Sequence, residues 1–264
     1  MSALFTLLLW FPHLGGSVEA AQDIGLDDTL RGTIGLQLEA IVVQQPTWQL
    51  EVYIGHQTMV RSNRANETPF RISPEQIYYP VAARLRMPLQ KTGRSWALFA
   101  RHQSNHDIDT NDPVLNRETI SFEAYGIQLI TPKSMTELAL YYDRGTRIGG
   151  RQQIWPLDYF LLGGQYGAEF ELSRQTYAAG RVELVGHTNQ HTPIPHLDIS
   201  GRGDIGFQHT GRGGRVRFFL RLQRVSNYRF LGETPRHLLL VGLGIDGLST
   251  SQTRAKDNFF DGMR

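Results

Sequence analysis

The chain has 264 residues, a formal net charge of +2 and no cysteine. This length suits a single domain, and a sheet closed on itself can reach it. The basic residues are spread along the chain, so the sequence offers no basic patch for nucleic acid. Without cysteine, disulfides, thiolate metal sites and cysteine nucleophiles are excluded, and any catalysis must use oxygen and imidazole groups.

An apolar run at residues 3–12 is followed by small residues around Val18-Glu19-Ala20. This order is typical of a secretory signal peptide, so we expect a cleaved leader over residues 1–20. Because no Lys or Arg precedes the run, residues 2–11 could instead be a membrane-crossing strand. No other stretch reaches the roughly 18 apolar residues of a transmembrane helix, so any membrane insertion is expected to use strands.

From about residue 31 onward, apolar residues recur at every second position, which predicts strands with one apolar and one polar face. For example, Val216, Phe218 and Leu220 alternate with Arg217 and Arg221. A soluble barrel would have shorter strands and a polar outside, so the long strands with recurring Arg and Glu indicate that the apolar face contacts lipid. We expect the arginines to pair with Asp and Glu inside the barrel.

The sequence therefore predicts an all-β fold, a transmembrane antiparallel β-barrel, at residues 21–248, followed by a polar tail at 249–264. Tight turns alternate with longer connections, as in bacterial outer-membrane barrels with short periplasmic turns and long outer loops. Eleven strands are recognisable, and the first of them runs down into a short periplasmic turn, so an upward strand should precede it. Bacterial outer-membrane barrels also usually have an even number of strands. We therefore predict about twelve strands, the missing one at 2–11, at 21–30, or absent from this chain. The predicted turns lie near Gln45-Pro46, Thr92-Gly93, Pro132-Lys133, Ser173-Arg174 and Gly211 to Gly214.

One predicted strand combines a lipid-facing surface with side chains that could perform catalysis. Along it, Trp96, Leu98 and Ala100 share their face with His102 and Ser104. A histidine and a serine two residues apart on one strand can serve as base and nucleophile. Polar side chains on a lipid-exposed face cost free energy and so invite a functional explanation, the alternative being that they lie past the membrane edge in the outer loop.

The following strand offers a third member of the site. Asn116 and Glu118 have the same parity as Phe122 and Ala124, and we expect all four on the lipid face. An amide or a carboxylate from this strand could orient the histidine.

The segment His102-Gln103-Ser104-Asn105, with Asn116-Arg117 beginning twelve residues after the serine, resembles the active-site segment of the outer-membrane phospholipase A family. These are calcium-dependent phospholipases of Gram-negative outer membranes. The resemblance implies a twelve-stranded barrel in which Ser104 is the nucleophile, His102 the base and Asn116 the group that orients the histidine.

A second match concerns calcium. Residues 67–71, Glu-Thr-Pro-Phe-Arg, resemble the family's Ser-Ser-Pro-Phe-Arg loop, which helps to bind calcium across a dimer. The resemblance implies metal ligands among Glu67, Asp107, Asp109 and Asp112, and oxygen ligands of this kind suit Ca²⁺. It also implies that the active form is a homodimer.

These observations predict a phospholipase in the bacterial outer membrane that hydrolyses acyl esters of membrane glycerophospholipids with a Ser-His-Asn triad and calcium. Two alternatives remain open. One is a non-catalytic barrel, and the other is a lipid A deacylase-like esterase that uses Glu118 to orient His102.

Overall fold

A computed structural model of the chain describes residues 13–25, 30–61, 73–89, 93–107, 119–143, 160–189, 192–211, 213–225 and 235–247. These residues form twelve β-strands that close into one antiparallel barrel, in which each strand pairs with its neighbours in the chain and β1 pairs with β12. The predicted fold class is confirmed. In these described ranges, no helix has the length and hydropathy needed to span a membrane. The strands are β1 (His13–Asp23), β2 (Leu30–Gln44), β3 (Gln49–Arg61), β4 (Ser73–Leu89), β5 (Arg94–Asp107), β6 (Thr119–Ile130), β7 (Ser134–Asp143), β8 (Phe160–Glu171), β9 (Thr176–Asn189), β10 (Thr192–Thr210), β11 (Gly214–Val225) and β12 (Arg236–Gly247).

The two faces of the sheet differ sharply in polarity. On β11, Phe218 and Leu220 are exposed on the outside, whereas Arg217 and Arg221 are buried inside. Exposed apolar side chains recur on the outside of the other strands and form a continuous belt around the barrel. In water such a belt would far exceed the apolar patch that a soluble protein exposes, but in a bilayer it matches the lipid. Members of this belt include Leu36, Leu98, Ile127, Leu140, Leu184, Ile205 and Val241.

The interior is held together by ion pairs. Arg221 Nε donates to Asp204 Oδ1 at 2.8 Å, and Arg221 Nη2 donates to Glu19 Oε2 at 3.0 Å. Because removing one partner of a buried pair typically costs about 3–5 kcal/mol, these contacts couple β11 to β1 and β10 strongly. The expected pairing of inward arginines is confirmed here and at further pairs. These pairs are Arg84–Glu51, Arg86–Glu51 and Arg217–Asp246.

Short turns mark one end of the barrel, where the sequence predicted them. The β2–β3 turn is closed by a hydrogen bond from Gln45 N to Trp48 O (2.8 Å), and the β10–β11 turn by one from Gly211 N to Gly214 O (2.9 Å). Gly93, before β5, has a φ of 66°, a left-handed conformation that favours glycine. Short turns are periplasmic in bacterial barrels, so β5 ends on the outer side of the membrane.

The position of the first strand differs from the prediction. β1 comprises His13–Asp23, so it falls mostly between the two expected positions, 2–11 and 21–30, and overlaps the second by three residues. It pairs with β2 from His13↔Ile41 onward and with β12 from Gly16↔Gly247 onward. Gly16 and Ala20 take outward positions where other strands have large apolar side chains, so the alternation was too weak to recognise.

This position also bears on the predicted leader. Residues 13–20 belong to β1, and cleavage after Ala20 would remove most of the strand that closes the barrel. The described barrel therefore includes residues 13–20, which the sequence assigned to the leader. The leader over residues 1–20 stays a prediction, and residues 1–12 and 248–264 lie outside the described ranges.

A substitution at Glu19 tests whether β1 is part of the mature barrel. Glu19→Ala is expected to lower the free energy of unfolding by about 3 kcal/mol, because Arg221 loses one of its two buried carboxylates. Urea unfolding in lipid vesicles, followed by tryptophan fluorescence, measures the change. The outward-facing control Val18→Leu is expected to have little effect. An unchanged stability in Glu19→Ala, with residues 13–20 missing from the mass of the membrane-derived protein, would contradict this assignment.

Candidate functional site

His102 and Ser104 lie on the outward face of β5, close to its outer end at Asp107. Both side chains are half-buried, whereas the intervening Gln103 is buried and points into the barrel. They continue the line of outward positions that includes Leu98, which is 51% exposed. The structure thus places this histidine and serine on the lipid-facing side, as the alternation predicted.

The face of β6 was predicted wrongly. Phe122 and Ala124 are only 6% and 1% exposed and pack inside the barrel with Phe99 and Tyr141, whereas Tyr125 is 55% exposed. The outward positions of β6 are therefore the odd ones. The prediction failed because β6 carries apolar residues on both faces, so alternation alone could not identify the outer one.

The observed face of β6 removes the reason for placing the third predicted site residue, Asn116, on the lipid side. Asn116 and Glu118 were placed on the lipid face because they share parity with Phe122 and Ala124, and that argument no longer holds. Both residues lie outside the described ranges.

Glu123 is the β6 residue that contacts the candidate base. It lies directly opposite His102 in the β5–β6 register, and its Oε1 is 2.9 Å from His102 Nδ1. The His102 side chain is 41% exposed and that of Glu123 is 15% exposed. A carboxylate that accepts a hydrogen bond from Nδ1–H keeps the proton on that nitrogen and leaves Nε2 as the basic atom.

Ser104 lies two residues from this histidine, on the same outward face of β5. The two residues are two apart on one face of a strand, a separation of roughly 6.6 Å along the backbone, which an imidazole and a hydroxymethyl group can together span. A carboxylate, an imidazole and a hydroxyl thus lie side by side on the outer surface. This is the residue set of a serine hydrolase.

Further polar side chains lie around Ser104. Ser121 faces it from β6 and Tyr79 faces it from β4. Next to Tyr79, the ring of His56 makes an edge-on contact with a centroid distance of 4.9 Å. His56 Nε2 is also 2.7 Å from Thr58 Oγ1.

Apolar residues border the site on its other side. Val81 lies opposite His102, and Ala100 and Tyr125 follow toward the short-turn end of the barrel. Val81 and Tyr125 are exposed members of the lipid-facing belt. The site therefore lies where the apolar belt meets the more polar outer end.

Glu123, His56 and Tyr79 were not predicted from the sequence. The signal for Glu123 was present, because it alternates with Tyr125 and Ile127, the true outward residues of β6. To find Glu123 from the sequence, one must know which face of β6 points outward. The pairing of β6 with the outward residues of β5 establishes this.

The predicted metal ligands are mostly outside the described ranges, including Glu67, Asp109 and Asp112. Asp107 is the last residue of β5, three residues beyond Ser104. Among the described residues, no group of three or more His, Asp or Glu side chains is placed to hold a metal ion.

No family model matches the chain, and no curated protein matches it. Solved structures that it resembles include outer membrane phospholipase A from Escherichia coli, which is 11% identical with a TM-score of 0.47, covering 94% of this chain and 97% of that chain. LpxR from Salmonella typhimurium is 8% identical with a TM-score of 0.41, covering 89% and 99%. The translocator domain of the autotransporter NalP from Neisseria meningitidis is 11% identical with a TM-score of 0.38, covering 88% of each chain.

These likenesses concern the fold alone. The closed barrel, with its outward apolar belt and ion-paired interior, is itself the architecture of an outer-membrane protein that crosses the bilayer with every strand.

The corrected face of β6 can be tested with tryptophan substitutions. Tyr125→Trp is expected to add fluorescence that brominated lipids quench, because position 125 contacts lipid, whereas Phe122→Trp adds fluorescence that they do not quench. Each variant is compared with the unmodified chain in vesicles with and without brominated acyl chains. Strong quenching at position 122 and none at position 125 would show that the even-numbered residues of β6 face lipid, as the sequence predicted.

Proposed function

We propose that the protein is an outer-membrane phospholipase that hydrolyses acyl esters of glycerophospholipids at its outer, lipid-facing surface. The observation that carries the proposal is the 2.9 Å contact between His102 Nδ1 and Glu123 Oε1, on the same outward face as Ser104. A lipid presents its ester groups between the hydrocarbon core and the headgroups. The border of the apolar belt is where such an ester would meet Ser104.

The chemistry is that of an acyl-enzyme mechanism. The Ser104 hydroxyl attacks the ester carbonyl while His102 Nε2 accepts its proton, and the imidazolium then donates that proton to the departing glycerol oxygen. Water deacylates Ser104 with His102 again as base, which releases the fatty acid. Glu123 holds the imidazole and stabilises its positive charge during both steps.

A donor for the oxyanion must come from a side chain or a metal. Ser104 lies within a strand paired on both sides, so its backbone N–H belongs to the hydrogen-bond ladder of the sheet. We propose that the hydroxyl of Ser121, the β6 residue paired with Ser104, supplies one such hydrogen bond.

Calcium belongs to the same proposal. The carboxylates of Asp107 at the end of β5, of Asp109 and Asp112 after it, and of Glu67 have the oxygen chemistry that Ca²⁺ prefers and would hold it. When bound, the ion would supply positive charge that stabilises a developing oxyanion. We also propose, from the sequence resemblance, that the active form is a homodimer.

Two residues compete to orient His102. The spacing after Ser104 favours Asn116, whereas the strand register brings Glu123 onto Nδ1. Only one of them can accept the Nδ1–H hydrogen bond at a time. We favour Glu123 because its contact lies within two well-paired strands.

A carboxylate in this position also supports a second candidate function, a lipid A deacylase-like esterase, which was predicted to use a carboxylate, Glu118, on His102. The two functions differ in substrate. A pore is disfavoured because ion pairs such as Arg221–Glu19 and Arg101–Glu137 occupy the interior.

Loss of the nucleophile provides the first test. In detergent with calcium, the purified protein is expected to release fatty acid from a glycerophospholipid faster than from lipid A, and a chelator is expected to reduce this release. Ser104→Ala is expected to lower kcat by at least about a thousandfold. The control Ser134→Ala, at a short turn, should keep full activity. Full activity in Ser104→Ala would exclude the mechanism, and faster turnover of lipid A would favour the deacylase.

The third residue is tested by comparing Glu123→Gln with Asn116→Ala. Glu123→Gln is expected to lower kcat by about a hundredfold or more, because an amide no longer stabilises the imidazolium and can favour the wrong tautomer. Glu123→Asp should recover part of the loss, because it restores a carboxylate at this position. A large loss in Asn116→Ala together with a normal Glu123→Gln would assign the position to Asn116.

A further inference from the structure

We propose that His56, Thr58 and Tyr79 form a subsite that binds the phosphate of the substrate lipid beside Ser104. This inference rests on the proposed hydrolase function and names the part of the substrate that these residues recognise. It concerns side chains on β3 and β4, whereas the hydrolytic residues are on β5 and β6.

The three side chains form one connected group on the outer surface. The imidazole of His56 contacts the ring of Tyr79 at an interplanar angle of 60° and lies 2.7 Å from Thr58 Oγ1 through Nε2. Tyr79 is 37% exposed, and His56 and Thr58 are half-buried. The group is thus ordered by its own contacts and still open to a lipid.

Its position fits one molecule bound across both sites. Tyr79 lies directly opposite Ser104, one strand spacing away, and His56 lies on the next strand. Adjacent strands are about 4.8 Å apart, so the group extends roughly 5–10 Å from the nucleophile. A glycerol backbone joins an ester to its phosphate over a few bonds, which suits this separation.

The chemistry of the group suits a phosphodiester. The tyrosine hydroxyl can donate to a phosphate oxygen, and so can whichever of the His56 N–H and the Thr58 hydroxyl is not donating in the contact between those two side chains. Their outward neighbours Leu36 and Ile54 are exposed apolar residues, so these polar groups interrupt the belt. A structural anchor at the membrane surface would need only an aromatic ring, whereas this group adds two hydrogen-bonding partners.

The subsite predicts selectivity for lipids that carry a phosphate. The variants His56→Gln and Tyr79→Phe remove single donors, and the Phe variant keeps the aromatic ring against His56. Outward-facing controls are His209→Gln, near a short turn, and Tyr166→Phe on β8. All are assayed in mixed micelles with a phosphatidylcholine and with a diacylglycerol that has the same acyl chains.

Each subsite variant is expected to raise KM for the phosphatidylcholine about tenfold, the loss expected for one hydrogen bond to a charged group. KM for the diacylglycerol and kcat for both lipids should stay unchanged, as should all constants of the two controls. Equal changes for both lipids, or no change for either, would overturn the subsite.

A binding experiment separates this proposal from the hydrolase function. Equilibrium dialysis of a short-chain phosphatidylcholine against the Ser104→Ala protein, with and without His56→Gln, requires no turnover. Weaker phosphatidylcholine binding in the double variant supports the subsite even if the unmodified protein hydrolyses neither lipid. Equal binding by the two proteins would overturn the subsite even if the hydrolase activity is found.

Discussion

Inside a bilayer, every backbone N–H and C=O group must find its hydrogen-bond partner within the protein. This chain meets that constraint by pairing β1 with β12, so no strand edge is left facing lipid among the described strands. Closure also fixes the direction of every side chain, because successive residues point alternately to lipid and to the interior. The apolar belt and the ion-paired interior are consequences of this alternation.

The same constraint explains why the candidate chemistry lies on the outside. Arginines and carboxylates from several strands occupy the interior, and residues such as Arg101, Glu137 and Arg221 are buried there. His102, Glu123 and Ser104 are instead polar groups on the apolar face, near its outer border. Such groups are costly in lipid unless they hydrogen-bond to one another, and here they form a set that could act on an ester.

Much of the fold could be predicted from sequence because alternation is strong wherever large apolar residues face lipid. It identified the barrel, its short turns and the outward positions of His102 and Ser104. It failed on β1, where Gly16 and Ala20 weaken the outward pattern. It failed again on β6, where Phe122 and Ala124 pack inside while Tyr125 and Ile127 face lipid. Glu123 could not be found from spacing, since its contact with His102 depends on the pairing of two strands.

In the proposed mechanism, the outward-facing Ser104 is activated by His102, two residues before it. The most direct measurement is mass spectrometric mapping of the adduct formed by a serine-directed sulfonyl fluoride on the protein in lipid vesicles. The adduct is expected on Ser104, and its rate of formation should fall strongly in His102→Ala. A protein that hydrolyses lipid esters while Ser104 stays unmodified, or an adduct whose rate is independent of His102, would contradict the account.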